Sequence, residues 1–111
     1  MSAITTHVLD TTRGLPAAGV FVLLQRRDGS ELLEVGRGRT DQDGRLGDLA
    51  ADVLLPGVYR LVFGVEDYFS NREIVPFFPE IIVEFHFDDA HGHVHVPLLL
   101  SPFGYSTYRG S

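Results

Sequence analysis

Cysteine is absent from the 111-residue chain, which excludes disulfides, thiolate nucleophiles and cysteine-built zinc sites and is compatible with a reducing compartment. Basic residues are scarce: nine Lys and Arg stand against fifteen Asp and Glu, a formal net charge of -6. That field repels phosphate backbones and anionic bilayers, so neither nucleic acid nor membrane is expected as a partner. No apolar run approaches the roughly eighteen residues of a spanning helix. The opening Met1 to His7 lacks the basic start and apolar stretch of a secretory signal. A cytoplasmic location is therefore expected. Also missing are a Gly-X-Ser-X-Gly elbow, a phosphate loop and a dinucleotide fingerprint, so covalent serine chemistry and nucleotide binding have no motif behind them. Water is the expected nucleophile of any hydrolysis.

What is present suits one folded domain over residues 1–111, with 44% apolar and 22% charged residues. Turn signals recur between short apolar segments with no repeat, linker or low-complexity tract, the rhythm of an all-β protein. Strands are predicted at 4–9, 20–27, 31–39, 58–65, 81–87, 93–100 and 104–108, with a short helix over 66–74. The expected architecture is a two-layer antiparallel β-sandwich of seven to eight strands.

Candidate chemistry lies on histidines. In His93-Val94-His95-Val96-Pro97-Leu98-Leu99-Leu100, a two-residue period puts Val94, Val96, Leu98 and Leu100 on the core face. His93, His95, Pro97 and Leu99 then share an outer face too apolar for one that meets only water, which suggests a binding site or subunit contact. A solvated strand with incidental histidines is the competing explanation. By the same alternation His7 lies with Thr5 and Leu9, opposite Ile4, Thr6 and Val8. Two such histidines become a proton-transfer pair if their faces meet.

Metal-binding alternatives are weaker. His91, His93 and His95 could hold a divalent ion on a regular strand, but Asp88-Asp89-Ala90-His91-Gly92 reads as a turn that breaks their shared direction. A calcium loop with Gly44 sixth would place Arg39 first and Ala50 twelfth, neither of them an oxygen ligand of the required kind. No metal is expected. Asp43-Gly44 is instead a turn that leaves Arg45 just beyond it, an ordinary surface charge or, beside the histidines, an oxyanion-stabilising fork. The tail from Pro102 to Ser111 would ordinarily fray, yet Tyr105, Tyr108 and Arg109 suggest that it packs.

Two stretches then carry a resemblance: Thr5-Thr6-His7-Val8-Leu9-Asp10-Thr11 with Gly14-Leu15-Pro16-Ala17-Ala18, and the run from His95-Val96-Pro97-Leu98-Leu99-Leu100 to Tyr108-Arg109-Gly110-Ser111. They closely resemble the 5-hydroxyisourate hydrolases of the transthyretin-like family. Arg39 to Arg45 and Phe77-Phe78-Pro79-Glu80 fit the same pattern. The Tyr-Arg-Gly-Ser ending is the most specific element, since it separates these hydrolases from the related hormone carrier transthyretin.

The resemblance implies a prealbumin-like sandwich, a homotetramer built as a dimer of dimers, and active sites between dimers. It implies hydrolysis of 5-hydroxyisourate to 2-oxo-4-hydroxy-4-carboxy-5-ureidoimidazoline in urate breakdown, without a cofactor. Carried over by motif, His7, Arg45, His95 and Ser111 are the catalytic candidates. His7 and Arg45 are also expected to bind substrate, together with Tyr108, Arg109 and Gly110. Which histidine is the base stays open. A non-enzymatic transthyretin-like binding or structural module is the alternative.

Overall fold

The computed structural model describes residues 2–111, apart from the side chain of His91. Strands β1 (Ile4–Asp10), β2 (Leu15–Pro16), β3 (Phe21–Asp28), β4 (Glu31–Arg39), β5 (Arg45–Leu46) and β6 (Gly57–Gly64) lead to helix α1 (Glu66–Ser70). After it come β7 (Glu80–Phe87), a 3-10 turn (Asp89–His91), β8 (Val94–Ser101) and β9 (Gly104–Thr107). The strands form two sheets, one ordered β2-β1-β8-β9 with β5 also on β1, the other ordered β4-β3-β6-β7.

Alternation in the sequence explains the core. Ile4, Val8, Val94, Val96, Leu98 and Leu100 of the first sheet meet Val22, Leu24, Tyr59, Leu61, Phe63 and Ile81 of the second in one buried cluster. Each fully buried Leu, Ile or Phe contributes about 1.5–3 kcal/mol. Thr6 is buried among them because its hydroxyl donates to the Val96 carbonyl at 2.6 Å, so no polar atom is stranded.

The all-β sandwich with one short helix agrees with expectation, and three details differ. The β1–β8 pair is parallel, whereas an antiparallel sandwich was expected; every other pair in the two sheets is antiparallel. The chain passes through both sheets between β1 and β8, so no hairpin dictates their relative direction. The strands number nine among the described residues rather than seven to eight, because two-residue β2 and β5 are too short to show alternation. Helix α1 stops at Ser70 instead of reaching Ile74: Arg72 turns back to the Phe69 carbonyl and Glu73 adopts a left-handed φ of 58°.

The tail is pinned, as its aromatic content suggested. Phe77 N–H donates to the Pro102 carbonyl at 2.7 Å, and the Phe78 ring meets Tyr105 edge-on at 5.4 Å. These contacts hold the β8–β9 hairpin and direct the last residues back along β8.

Candidate active site

Strand register assembles the site on the outer face of the first sheet. The parallel β1–β8 pairing sets Thr5 opposite His95 and His7 opposite Pro97. On the other edge of β1, β5 sets Arg45 opposite His7. Arg45, His7 and His95 therefore lie across three adjacent strands, although His7 is 38 residues from Arg45 and 88 from His95 in sequence. The outer face expected to be apolar at Pro97 and Leu99 is not left open: Pro97 is buried and Leu99 half-buried, because β9 and the tail fold back over β8.

The turn before β5 is built to deliver Arg45. The Asp41 carboxylate accepts the backbone N–H groups of Asp43 and Arg45 at 2.8 and 3.0 Å. Gly44 takes a φ of +75°, and its carbonyl accepts the Val8 N–H at 2.7 Å, tying the turn to β1. A Cβ at Gly44 would come within 2.3 Å of the Val8 carbonyl oxygen. Only glycine fits there.

From the opposite side the tail returns antiparallel to β8, with Gly110 N–H donating to the His95 carbonyl at 2.8 Å. A Cβ on Gly110 would lie 2.7 Å from His95 Cδ2 and 3.2 Å from Pro97 Cγ. Glycine is required because the tail backbone rests on the edge of the imidazole, and this places Ser111 at the site. Thr5, Arg45, His93, His95 and Ser111 line a cavity of about 370 Å³. No lining residue carries an acidic side chain.

The two histidines differ in their surroundings. His7 Nε2–H donates to the Asp43 carbonyl at 2.9 Å; in the neutral ring this leaves Nδ1 as the acceptor. His95 is half-buried, with Nδ1 2.8 Å from Thr5 Oγ1. Burial first, then the positive fields of His93, Arg45 and His7, hold the His95 imidazole below its ordinary value. It is therefore neutral at neutral pH, the form a general base requires.

Not every candidate reaches this cavity within one chain. Tyr108 and Arg109 line a second cavity of about 250 Å³, with Val83, Glu84 and His86, at the edge between the sheets. Tyr108 is 58% exposed there. The side chain of His91 lies outside the described residues. No group of three or more His, Cys, Asp or Glu placed to hold a metal occurs among the described residues. Two neighbours escaped sequence reasoning: Thr5, and His93 as its partner, 2.6 Å from Nε2 to Oγ1. Alternation did place Thr5 beside His7, but only the parallel register could have placed it against His95.

The chain is similar to proteins of known activity and fold. The 5-hydroxyisourate hydrolase of Salmonella dublin is 46% identical over 109 residues, spanning 97% of this chain and 80% of that protein. Among solved structures, that of Klebsiella pneumoniae 5-hydroxyisourate hydrolase superposes with a TM-score of 0.86 at 34% identity, covering 97% of this chain and 98% of the other. Sea bream transthyretin in complex with thyroxine superposes with a TM-score of 0.92 at 29% identity, covering 97% and 94%. The backbone alone thus fits enzyme and transthyretin alike, and the side chains on the outer face must discriminate. The HIUase/Transthyretin family model matches residues 4–110, and the chain belongs to that family.

Proposed function

We propose that the protein hydrolyses 5-hydroxyisourate to 2-oxo-4-hydroxy-4-carboxy-5-ureidoimidazoline in urate breakdown. The observation that carries this reading is the convergence of Arg45, His95 and Ser111 on one cavity with no acidic side chain in its lining, with His7 beside Arg45 on the adjoining strand. Hydrolysis of a ring amide needs a base to take a proton from water and a cation beside the carbonyl oxygen that becomes negative. His95 is assigned as the base: its Nδ1 is engaged by Thr5 and its ring is held neutral. Arg45 stabilises the oxyanion. His7, whose Nε2–H is fixed on the Asp43 carbonyl, offers Nδ1 to a substrate N–H or to water.

The working form is a homotetramer, a dimer of dimers, with the cavity closed between dimers. Tyr108 and Arg109 line the edge cavity in the single chain, so their contribution to substrate binding depends on this assembly. Gly110 acts by fitting against His95. Sedimentation that finds only monomers at assay concentration would sink the shared-site arrangement.

The first test follows the ultraviolet absorbance of 5-hydroxyisourate generated in place from urate by urate oxidase. Wild-type protein should speed its decay far beyond the spontaneous rate, and His95→Ala should abolish most of that gain. Deleting residues 108–111 should also remove turnover while leaving the fold. The transthyretin superposition supports one other reading, a non-enzymatic binding module. Decay no faster than the spontaneous rate would make that the better one.

A further inference from the structure

A base histidine has two nitrogens, and the partner of one decides the proton form of the other. Thr5 Oγ1 lies 2.8 Å from His95 Nδ1 and 2.6 Å from His93 Nε2. A hydroxyl carries a single hydrogen, so it can donate to one of these nitrogens only while accepting from the other. The two rings sit 6.3 Å apart between centroids, and the hydroxyl bridges them. Thr5 is 7% exposed, which leaves water little room to take the place of this bridge. His93, by contrast, is exposed.

Resting on the hydrolase reading above, we propose that Thr5 and His93 are positioning residues that set the tautomer of His95 and share its proton. His95 Nδ1–H donates to Thr5 Oγ1, and the Thr5 hydroxyl donates to His93 Nε2. This holds His95 Nε2 unprotonated and available to the cavity. As water attacks, its oxygen forms the new bond to the carbonyl carbon, and its proton passes to His95 Nε2. The carbonyl π electrons move to the oxygen beside Arg45. The Nδ1 proton then shifts to Thr5 Oγ1 as the Thr5 proton shifts to His93 Nε2, moving the positive charge from the half-buried ring to the exposed one. When the C–N bond breaks, the reverse shift lets His95 Nε2–H protonate the departing nitrogen, and all three groups return to their starting states. The direction of transfer follows from burial: a charge costs less on the hydrated ring. The lowered proton affinity of His95 has the same physical origin.

The experiment combines steady-state kinetics with ¹⁵N spectra of the histidine rings in the full chain. Thr5→Val keeps the shape of the side chain and removes the bridge. It should lower kcat about tenfold with KM changed less than about twofold, while Thr5→Ser should stay within about threefold of wild type. His93→Phe should lower kcat similarly, and it preserves falsifiability if Thr5→Val folds poorly. In the spectra, His95 should carry its proton on Nδ1 in the wild type and redistribute it toward Nε2 in Thr5→Val. Unchanged kcat in folded Thr5→Val and His93→Phe, or a His95 spectrum indifferent to Thr5→Val, would overturn the proposal. A wild-type protein that fails to speed 5-hydroxyisourate decay would refute the hydrolase reading instead, and the nitrogen spectra, which need no substrate, would still judge the bridge.

Discussion

The two outer faces of the sandwich obey the same alternation and treat charge in opposite ways. On the second sheet, Glu84 of β7 accepts from Arg27 of β3 at 2.7 Å and from Arg60 of β6 at 2.9 Å. One carboxylate sits between two guanidinium groups, so each cation has an acid beside it. On the first sheet, Arg45, His7, His93 and His95 gather beside a cavity whose lining has no acidic side chain. A surface shaped only for solubility and stability gains from placing an acidic side chain there, and this one goes without. A cluster of cationic and titratable groups left unneutralised beside a cavity marks a site prepared for charge that arrives or develops during reaction.

The contrast is broken most severely by removing that cluster. His95→Ala and Arg45→Ala should each lower kcat/KM by about 100-fold or more, the usual scale for losing a general base or an oxyanion donor. A loss of only a few fold at His95 would shift the base to His7. Gly110→Ala comes next, because its Cβ would intrude to 2.7 Å from His95 Cδ2. Displacing the imidazole by a fraction of an ångström should cost about tenfold to 100-fold in kcat with the fold retained. Full activity with alanine at 110 would show that the tail need not rest on the ring.

Much of this was legible in the sequence. The two-residue period separated Val94, Val96, Leu98 and Leu100 from His93 and His95, and Asp43-Gly44 announced the turn that presents Arg45. Long-range register was not legible: nothing local says that Thr5 pairs in parallel with His95, or that two-residue β5 lies along His7. Side-chain period is a property of one strand, whereas register depends on how two sheets close over a shared core. For the same reason Thr5 passed as a neutral neighbour, and Tyr108 and Arg109, carried over with the closing motif of the resemblance, line the edge cavity of the single chain. Gly110 is the intermediate case. Its place in the closing motif pointed to the site, and only the approach of its backbone to His95 explains why it is glycine.

The faces should also separate by pH, with smaller effects. His95 is held below its ordinary value of 6.5, chiefly by burial. Between its folded value and that of the unfolded chain, the unfolded state binds more protons, so stability falls as pH drops through this window and carries no penalty above it. Activity should show an acid limb in the same range, since protonated His95 cannot accept from water. Urea unfolding of wild type and His95→Gln on either side of about pH 6.5 checks the first claim, and the profile of kcat/KM checks the second. Glu84 has the opposite sign: its hydrogen bonds to Arg27 and then Arg60 hold its carboxyl below the usual 4.5. Its contribution is complete above the unfolded value and disappears as pH falls through the folded one. That pair of bonds is solvent-exposed, so Arg27→Gln, which removes one of them, should leave turnover unchanged and lower the unfolding midpoint only slightly, by less as salt is raised. An Arg27→Gln protein that lost activity would mean that the two faces are coupled through the core, and the division between an ion-paired face and a reactive one would fail.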